Sequence, residues 1–129
     1  MVNNICIMNI YKNWLNNQRL SFHETSIGLL FRYQGGGFII ANNKNDKDYL
    51  QLIMPNIYTV DSFSKQKALK VANSLNRDIK ALKVIINDDD SVWLTVEQFL
   101  DETPDVDDFM DRLLGILLQG RMKFNMLME

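Results

Sequence analysis

Cysteine and histidine are scarce in this chain, and each scarcity closes off a class of reading. Cys6 is the single cysteine among 129 residues, so an internal disulfide framework is impossible. One thiol beside seven methionines fits a reducing compartment. His23 is the single histidine. It stands beside Glu24, but a catalytic imidazole needs a nucleophile and an orienting group, and no motif supplies them. Long apolar runs are missing too: none approaches the ~20 residues needed to cross a bilayer. The opening Met1-Val2-Asn3-Asn4 lacks the basic region of a secretory signal. These absences lead us to expect a cytoplasmic protein with no membrane partner.

What is present suits one soluble globule. A hydrophobic fraction of 47% against 23% charged residues is ordinary for such a protein. A chain this long should bury roughly two thirds of its unfolded surface, enough for one core, so we expect a single α+β domain over 1–129. The net charge of −2 argues against a nucleic-acid partner. The charge is nonetheless divided: residues 1–87 carry a net +6 and residues 88–129 a net −8. Such asymmetry suits contact between the two ends of one chain or between two chains.

The organising stretch is Ser64 to Val96. Ala68, Leu69, Ala72 and Leu75 recur at helical spacing. Leu82, Val84 and Ile86 alternate as in a strand, and Val92, Leu94 and Val96 do so again after the turn-forming Asn87-Asp88-Asp89-Asp90-Ser91. Ahead of it, Ile7, Ile10, Tyr11, Trp14 and Leu15 mark an opening helix that Asn3 or Asn4 would cap. Arg19–Ser26 is ambiguous. Gly28–Gln34 reads as a strand, Gly35-Gly36-Gly37 as a hairpin turn and Phe38–Ala41 as its return. Tyr49–Tyr58 is a third strand in which Pro55 marks an edge, a bulge or the end of pairing. Thr103-Pro104-Asp105 predicts the start of a closing helix, with Thr103 as cap and Pro104 in the first turn. Its stripe is Phe109, Leu113, Ile116, Leu117, Gly120, Phe124 and Leu127.

Several features resemble chemical sites and are better read structurally. Cys6, near a helix start, reads as a small buried hydrophobe. The glycine cluster wants a helix after it to cradle phosphate, and a strand follows. Asn42–Asp48 has calcium-like oxygens without the spacing, central Gly or closing Glu of a calcium loop. Lys65, Lys67, Lys70 and Arg77 form a solvated basic face on the central helix. Asn73 and Asn76 should bond to nearby backbone and set the turn into the next strand. The carboxylates of Asp88-Asp89-Asp90 diverge on a turn, whereas a hard cation wants convergent oxygens. We expect no catalytic residue, no metal and no cofactor.

Ala68-Leu-Lys-Val-Ala-Asn-Ser-Leu-Asn76, Lys83-Val84, Val92-Trp93, Glu97-Gln98-Phe99 and the later Phe109, Arg112, Leu113 and Phe124 carry a wider likeness. Over roughly Gly28 to Phe124 the chain resembles the YbjN-like family of proposed bacterial sensory-transduction regulators. That resemblance implies the type III secretion chaperone-like fold: helix, three strands, helix, two strands, helix, with a five-stranded antiparallel sheet. It implies no catalytic residues. Secretion chaperones of this fold dimerise and hold extended client segments, so it also implies protein or peptide partners and a homodimer.

The strands carry apolar residues on both faces, where a one-sided antiparallel sheet would alternate apolar and polar. We therefore expect part of the second face, or the last helix, to be covered by another chain, with Phe31, Tyr33, Trp93, Phe124 and Leu127 as contact residues. The expected function is a non-enzymatic, chaperone-like or regulatory protein-binding module. The alternatives are a small-ligand-sensing regulator with a pocket between helix and sheet, and a small metal-dependent hydrolase.

Overall fold

The structure is a computed structural model that describes residues 3–43 and 46–129, with side chains from Ile7 onward. The side chains of Asn3, Asn4 and Cys6, on which the expected cap and thiol readings depend, and residues 44–45 of the 42–48 connector lie outside what the structure describes. Helix α1 (Asn3–Asn17) leads into strands β1 (Phe22–Thr25), β2 (Gly28–Tyr33), β3 (Gly36–Ala41) and β4 (Tyr49–Thr59). Helix α2 (Lys65–Asp78), strands β5 (Leu82–Ile86) and β6 (Ser91–Phe99), and helix α3 (Val106–Met128) follow. The strands form one antiparallel sheet in the order β1-β2-β3-β4-β6-β5.

The sheet therefore has six strands, which corrects the expected five. The additional one is β1, within the segment that was ambiguous. Its four residues are Phe-His-Glu-Thr, of which only Phe22 is half-buried, so no apolar alternation announces it. Pairing with β2, Phe22 opposite Phe31 and His23 opposite Leu30, holds it. The chain turns back through Ser26-Ile27, and the Thr25 hydroxyl donates to the Gly28 carbonyl at 3.1 Å.

The other elements form for readable reasons. Gln34 and Gly35 both have positive φ, 47° and 78°, as a two-residue turn of the hairpin-matching hand requires. The glycine cluster thus turns the chain one residue earlier than expected, and Gly36 already belongs to β3. Pro55 sits where the β4–β6 register shifts between Met54 and Tyr58, so it marks a bulge. Asn56 takes the bulge's positive φ and accepts a bond from Trp93 Nε1 at 3.2 Å. Before α2, Asp61 Oδ1 accepts the N–H groups of Phe63 and Ser64, while Ser64 Oγ accepts the Asp61 N–H. These bonds hold the Asp61 carboxyl below its ordinary pKa. Helix α3 begins at Val106, so Thr103 and Pro104 stand outside it, and Asp107 and Asp108 face its positive end.

The helices pack on one sheet face. Leu29, Phe38, Ile40, Leu52, Val84 and Leu94 line that face, and Tyr11, Trp14 and Leu15 of α1 join them in a single core. α3 lies over β4, β5 and β6, and α2 lies over β5. At Gly120 an added Cβ would come 3.0 Å from Leu82 Cδ2 and 3.2 Å from Leu94 Cδ1, so the missing side chain lets α3 lie close to the sheet. The hydroxyl of Tyr11 is buried with no hydrogen-bond partner among the described residues, and burial pushes its pKa upward.

The two sheet edges are treated differently. Along β5, Asn76 of α2 meets the backbone of Val84 from both sides of its amide: the Val84 N–H donates to Oδ1 at 2.6 Å and Nδ2 donates to the Val84 carbonyl at 3.3 Å. This is the backbone bond expected for Asn76; Asn73 is exposed and makes none among the described residues. At the other edge β1 is short, which limits the unpaired backbone it presents.

Candidate functional site, the outer face of the sheet

The face away from the helices is read most directly from the strand register. His23 pairs with Leu30, Leu30 with Ile39, Ile39 with Ile53, Ile53 with Thr95, and Thr95 with Lys83. One row of side chains therefore crosses all six strands, apolar in its middle. Beside it lie Arg32, Gly37, Pro55, Trp93 and Ile85.

The row divides the face into two regions. Over β1 to β4 there is an open groove of about 430 Å³ lined by Ser21, His23, Leu30, Arg32, Gly37, Ile39 and Pro55. Gly37 makes its gap: a Cβ built there meets nothing within 4 Å. Arg32 stands exposed on the rim and forms no ion pair among the described residues. Over β4, β6 and β5 the face is polar. Tyr49 Oη donates to Glu97 Oε1, while Thr95 Oγ1 and Lys83 Nζ donate to Oε2 at 2.9 and 3.1 Å. Burial alone would raise the pKa of Glu97, but these donors outweigh it and the net shift is downward. The bond to Glu97, helped by burial, pushes the Tyr49 phenol up to about 12. Three donors fix this carboxylate, which organises the surface around it.

Of the expected contact residues, Trp93 is half-buried on this face, near the groove's Pro55 side. Phe31 and Phe124 are core residues, 4% and 0% exposed. Phe31 stacks on Phe38 at 5.6 Å and Phe124 meets Tyr58 edge-on at 5.4 Å. Tyr33 is half-buried on the helix side, edge-on to Phe38 at 6.3 Å. In the single chain Phe31 and Phe124 face the packed side, whereas Tyr33 keeps part of its ring and its hydroxyl accessible. Leu127 is 49% exposed, while its neighbour Met128 is buried. Sequence reasoning missed Arg32, Gly37 and Phe99, the last of which is 79% exposed. Their signal was parity: each falls on the strand face opposite the one that carries the core.

The residues weighed for chemistry do not converge. His23 lines the groove, but Glu24 points to the helix face, where its carboxylate pairs with Lys12 at 2.8 Å. Asp89 accepts the Ser91 N–H and hydroxyl at 3.0 and 2.6 Å, which lowers its pKa, while Asp90 faces Lys65 at 3.3 Å. Among the described residues no group of three or more His, Cys, Asp or Glu side chains is placed to hold a metal ion. No described helix is long and apolar enough to cross a membrane. The groove lies on the opposite side from the pocket that a ligand-sensing reading expected; on the helix side the core fills the centre, and a separate cavity of about 470 Å³ opens at the α1 end, lined by Ile7, Ile10, Asp48, Asp101 and Glu102 among others.

The arrangement defines a class: an α+β domain whose antiparallel sheet is backed by helices on one side and bare on the other. Within that class the chain has the fold of YbjN from E. coli, a proposed transcription regulator. The two share 13% identity with a TM-score of 0.69 over 91% of this chain and 87% of that one. It is also similar to a chain of the heterodimeric complex ExoU–SpcU from the type III secretion system of Pseudomonas aeruginosa. That match has 17% identity and a TM-score of 0.53, over 91% of this chain and 96% of that one. At these identities the likeness is one of fold. No protein-family model matches the chain, and no curated protein sequence does.

Proposed function

We propose that this chain is a non-enzymatic protein-binding module, regulatory or chaperone-like, which offers the outer face of its sheet to another polypeptide. One observation carries the reading: the helix-free face, where Leu30, Pro55 and Trp93 are half-buried around the groove over Gly37 and Phe99 stands outward, while Ile39 and Ile53 between them are already buried by their neighbours. Its fold neighbours support it, one being a proposed regulator and the other a member of a protein–protein heterodimer. On this reading residues 1–129 act as one cytoplasmic domain, binding a client segment and pairing with a second copy, without nucleic acid. Leu127 and Trp93 remain contact residues in the proposal.

The test is native mass spectrometry of the protein taken gently from its own cells, followed by hydrogen exchange on the complex. A bound polypeptide that protects amides of β2, β3 and β6 supports the reading. A bare monomer, or protection confined to α2 and α3, refutes it. The groove's ~430 Å³ also falls in the range of small-ligand sites, but such sites usually bury most of their ligand, and this one is an open trough.

A further inference from the structure

Charge on the outer face is nearly all paired. The strands place three full charges there: Arg32 of β2, Lys83 of β5 and Glu97 of β6. Lys83 Nζ lies 3.1 Å from Glu97 Oε2, and Tyr49 and Thr95 donate to the same carboxylate, so that pair cancels. Arg32 is left over. Its side chain is exposed and makes no ion pair among the described residues. Glu24, the acidic residue of neighbouring β1, turns to the helix side and pairs with Lys12 at 2.8 Å instead.

The register seats this free charge on the lip of the apolar groove. Arg32 stands opposite Gly37, whose missing side chain leaves the gap, and Leu30 stands opposite Ile39. Pro55 bounds the gap on β4, and Ser21 adds a hydroxyl-bearing residue at the β1 end. Among the described residues, none that lines the groove is acidic. Leu30 and Arg32 are two residues apart on one face of β2, roughly 6.6 Å along an extended strand. An extended partner segment has the same repeat between side chains i and i+2. Laid along β2, a segment with an apolar side chain at i and a carboxylate at i+2 meets both features in register. The apolar group enters the gap, and the carboxylate accepts two parallel N–H bonds from the guanidinium. The trough is open on its solvent side, which suits a chain that continues past it over half-buried Trp93 rather than a molecule enclosed by it.

We infer that the groove over Gly37 takes an acidic, apolar stretch of another polypeptide: a large apolar side chain over Gly37 and, two residues away, an aspartate or glutamate bound to Arg32. This rests on the reading of the outer face as a contact surface and names the chemistry of the segment that occupies it.

The probe is a synthetic peptide, acetyl-Thr-Thr-Phe-Thr-Asp-Thr-Thr-amide, titrated into the isotope-labelled full chain and followed by NMR. It should shift the amides of β2 and β3 and the Arg32 Nε signal. The same peptide with lysine in place of aspartate should bind at least about tenfold more weakly. Arg32→Glu should reverse that preference. Gly37→Leu should weaken both peptides by filling the gap. That position has room for a side chain and no positive φ, so its circular dichroism and Tm should match wild type. Equal binding of the two peptides to wild type overturns the inference. So do a preference that Arg32→Glu leaves unchanged, shifts confined to other strands, and no binding at millimolar peptide. N-acetylphenylalanine binding as tightly as the peptide would make the occupant a small carboxylate and overturn the polypeptide. A native complex that protects β2, β3 and β6 and survives Arg32→Glu undiminished would keep the contact-surface reading and remove only the acidic segment.

Discussion

The side-chain amide of Asn76 lies against Val84 as a neighbouring strand would, accepting its N–H at 2.6 Å and donating to its carbonyl at 3.3 Å. A helix residue thus closes the middle of an edge strand. Asn76→Ala would leave both backbone groups without a partner at a partly buried position, at a cost of about 1–3 kcal/mol. Urea unfolding should show the loss, and the Val84 amide should exchange faster than in wild type. The freed edge should also raise the tendency to associate through β5, visible as concentration-dependent light scattering.

Gly28 should accept no side chain. Its φ is 148°, and an added Cβ would lie 2.1 Å from the Ile40 carbonyl oxygen. Gly28→Ala should therefore destabilise by more than ~1 kcal/mol, since the native backbone is closed to it. Gly37→Ala, in the next strand and with open space around it, should be close to neutral by the same thermal-melt comparison.

Two apolar residues near the C-terminus separate core from surface. Phe124 is fully buried against Tyr58, so Phe124→Ala should cost about 3–5 kcal/mol. Leu127→Ala, half-exposed, should stay within about 0.5 kcal/mol in the monomer. Chemical denaturation of both variants measures the contrast.

The Tyr49–Glu97 network sets two pH limits. Glu97 has a folded pKa below its ordinary value, so its contribution is present above the unfolded carboxylate range and is lost as the pH falls through the lowered value. Tyr49 is raised from 10.0 to about 12, so its contribution is complete below about pH 10 and disappears as the pH climbs toward 12. Tyr49→Phe should remove the alkaline dependence. It should also move the Glu97 titration, followed by carboxyl NMR, upward toward its ordinary range.

Periodicity made much of this architecture legible. β5 begins at Leu82 and ends at Ile86, as its alternation predicts, and Tyr11, Trp14 and Leu15 of the opening stripe are all buried. What was not legible depended on pairing. β1 has no pattern of its own and exists because β2 lies beside it. Along the 23 residues of α3 the apolar stripe drifts, so Met128 turns inward where Leu127 was expected. Phe31 and Trp93 look alike in composition, but only the register assigns one to the packed face and the other to the bare one. The groove is harder still to foresee, since it arises from a side chain that Gly37 lacks among neighbours brought there by three other strands.

The sheet order has a consequence for how the chain can be divided. β1, β2 and β3 each pair with the next strand in sequence, and β5 pairs with β6, so both groups are wired locally. A single seam, β4 against β6, stitches them together across the intervening helix. A cut beside the outward-pointing Phe63, between that seam's two sides, severs no strand and no helix. Fragments 1–62 and 63–129 should accordingly reassemble when mixed, which would make this scaffold a natural two-piece reporter whose halves recognise each other through one zip of backbone and the packing of α3 on β4 and α1.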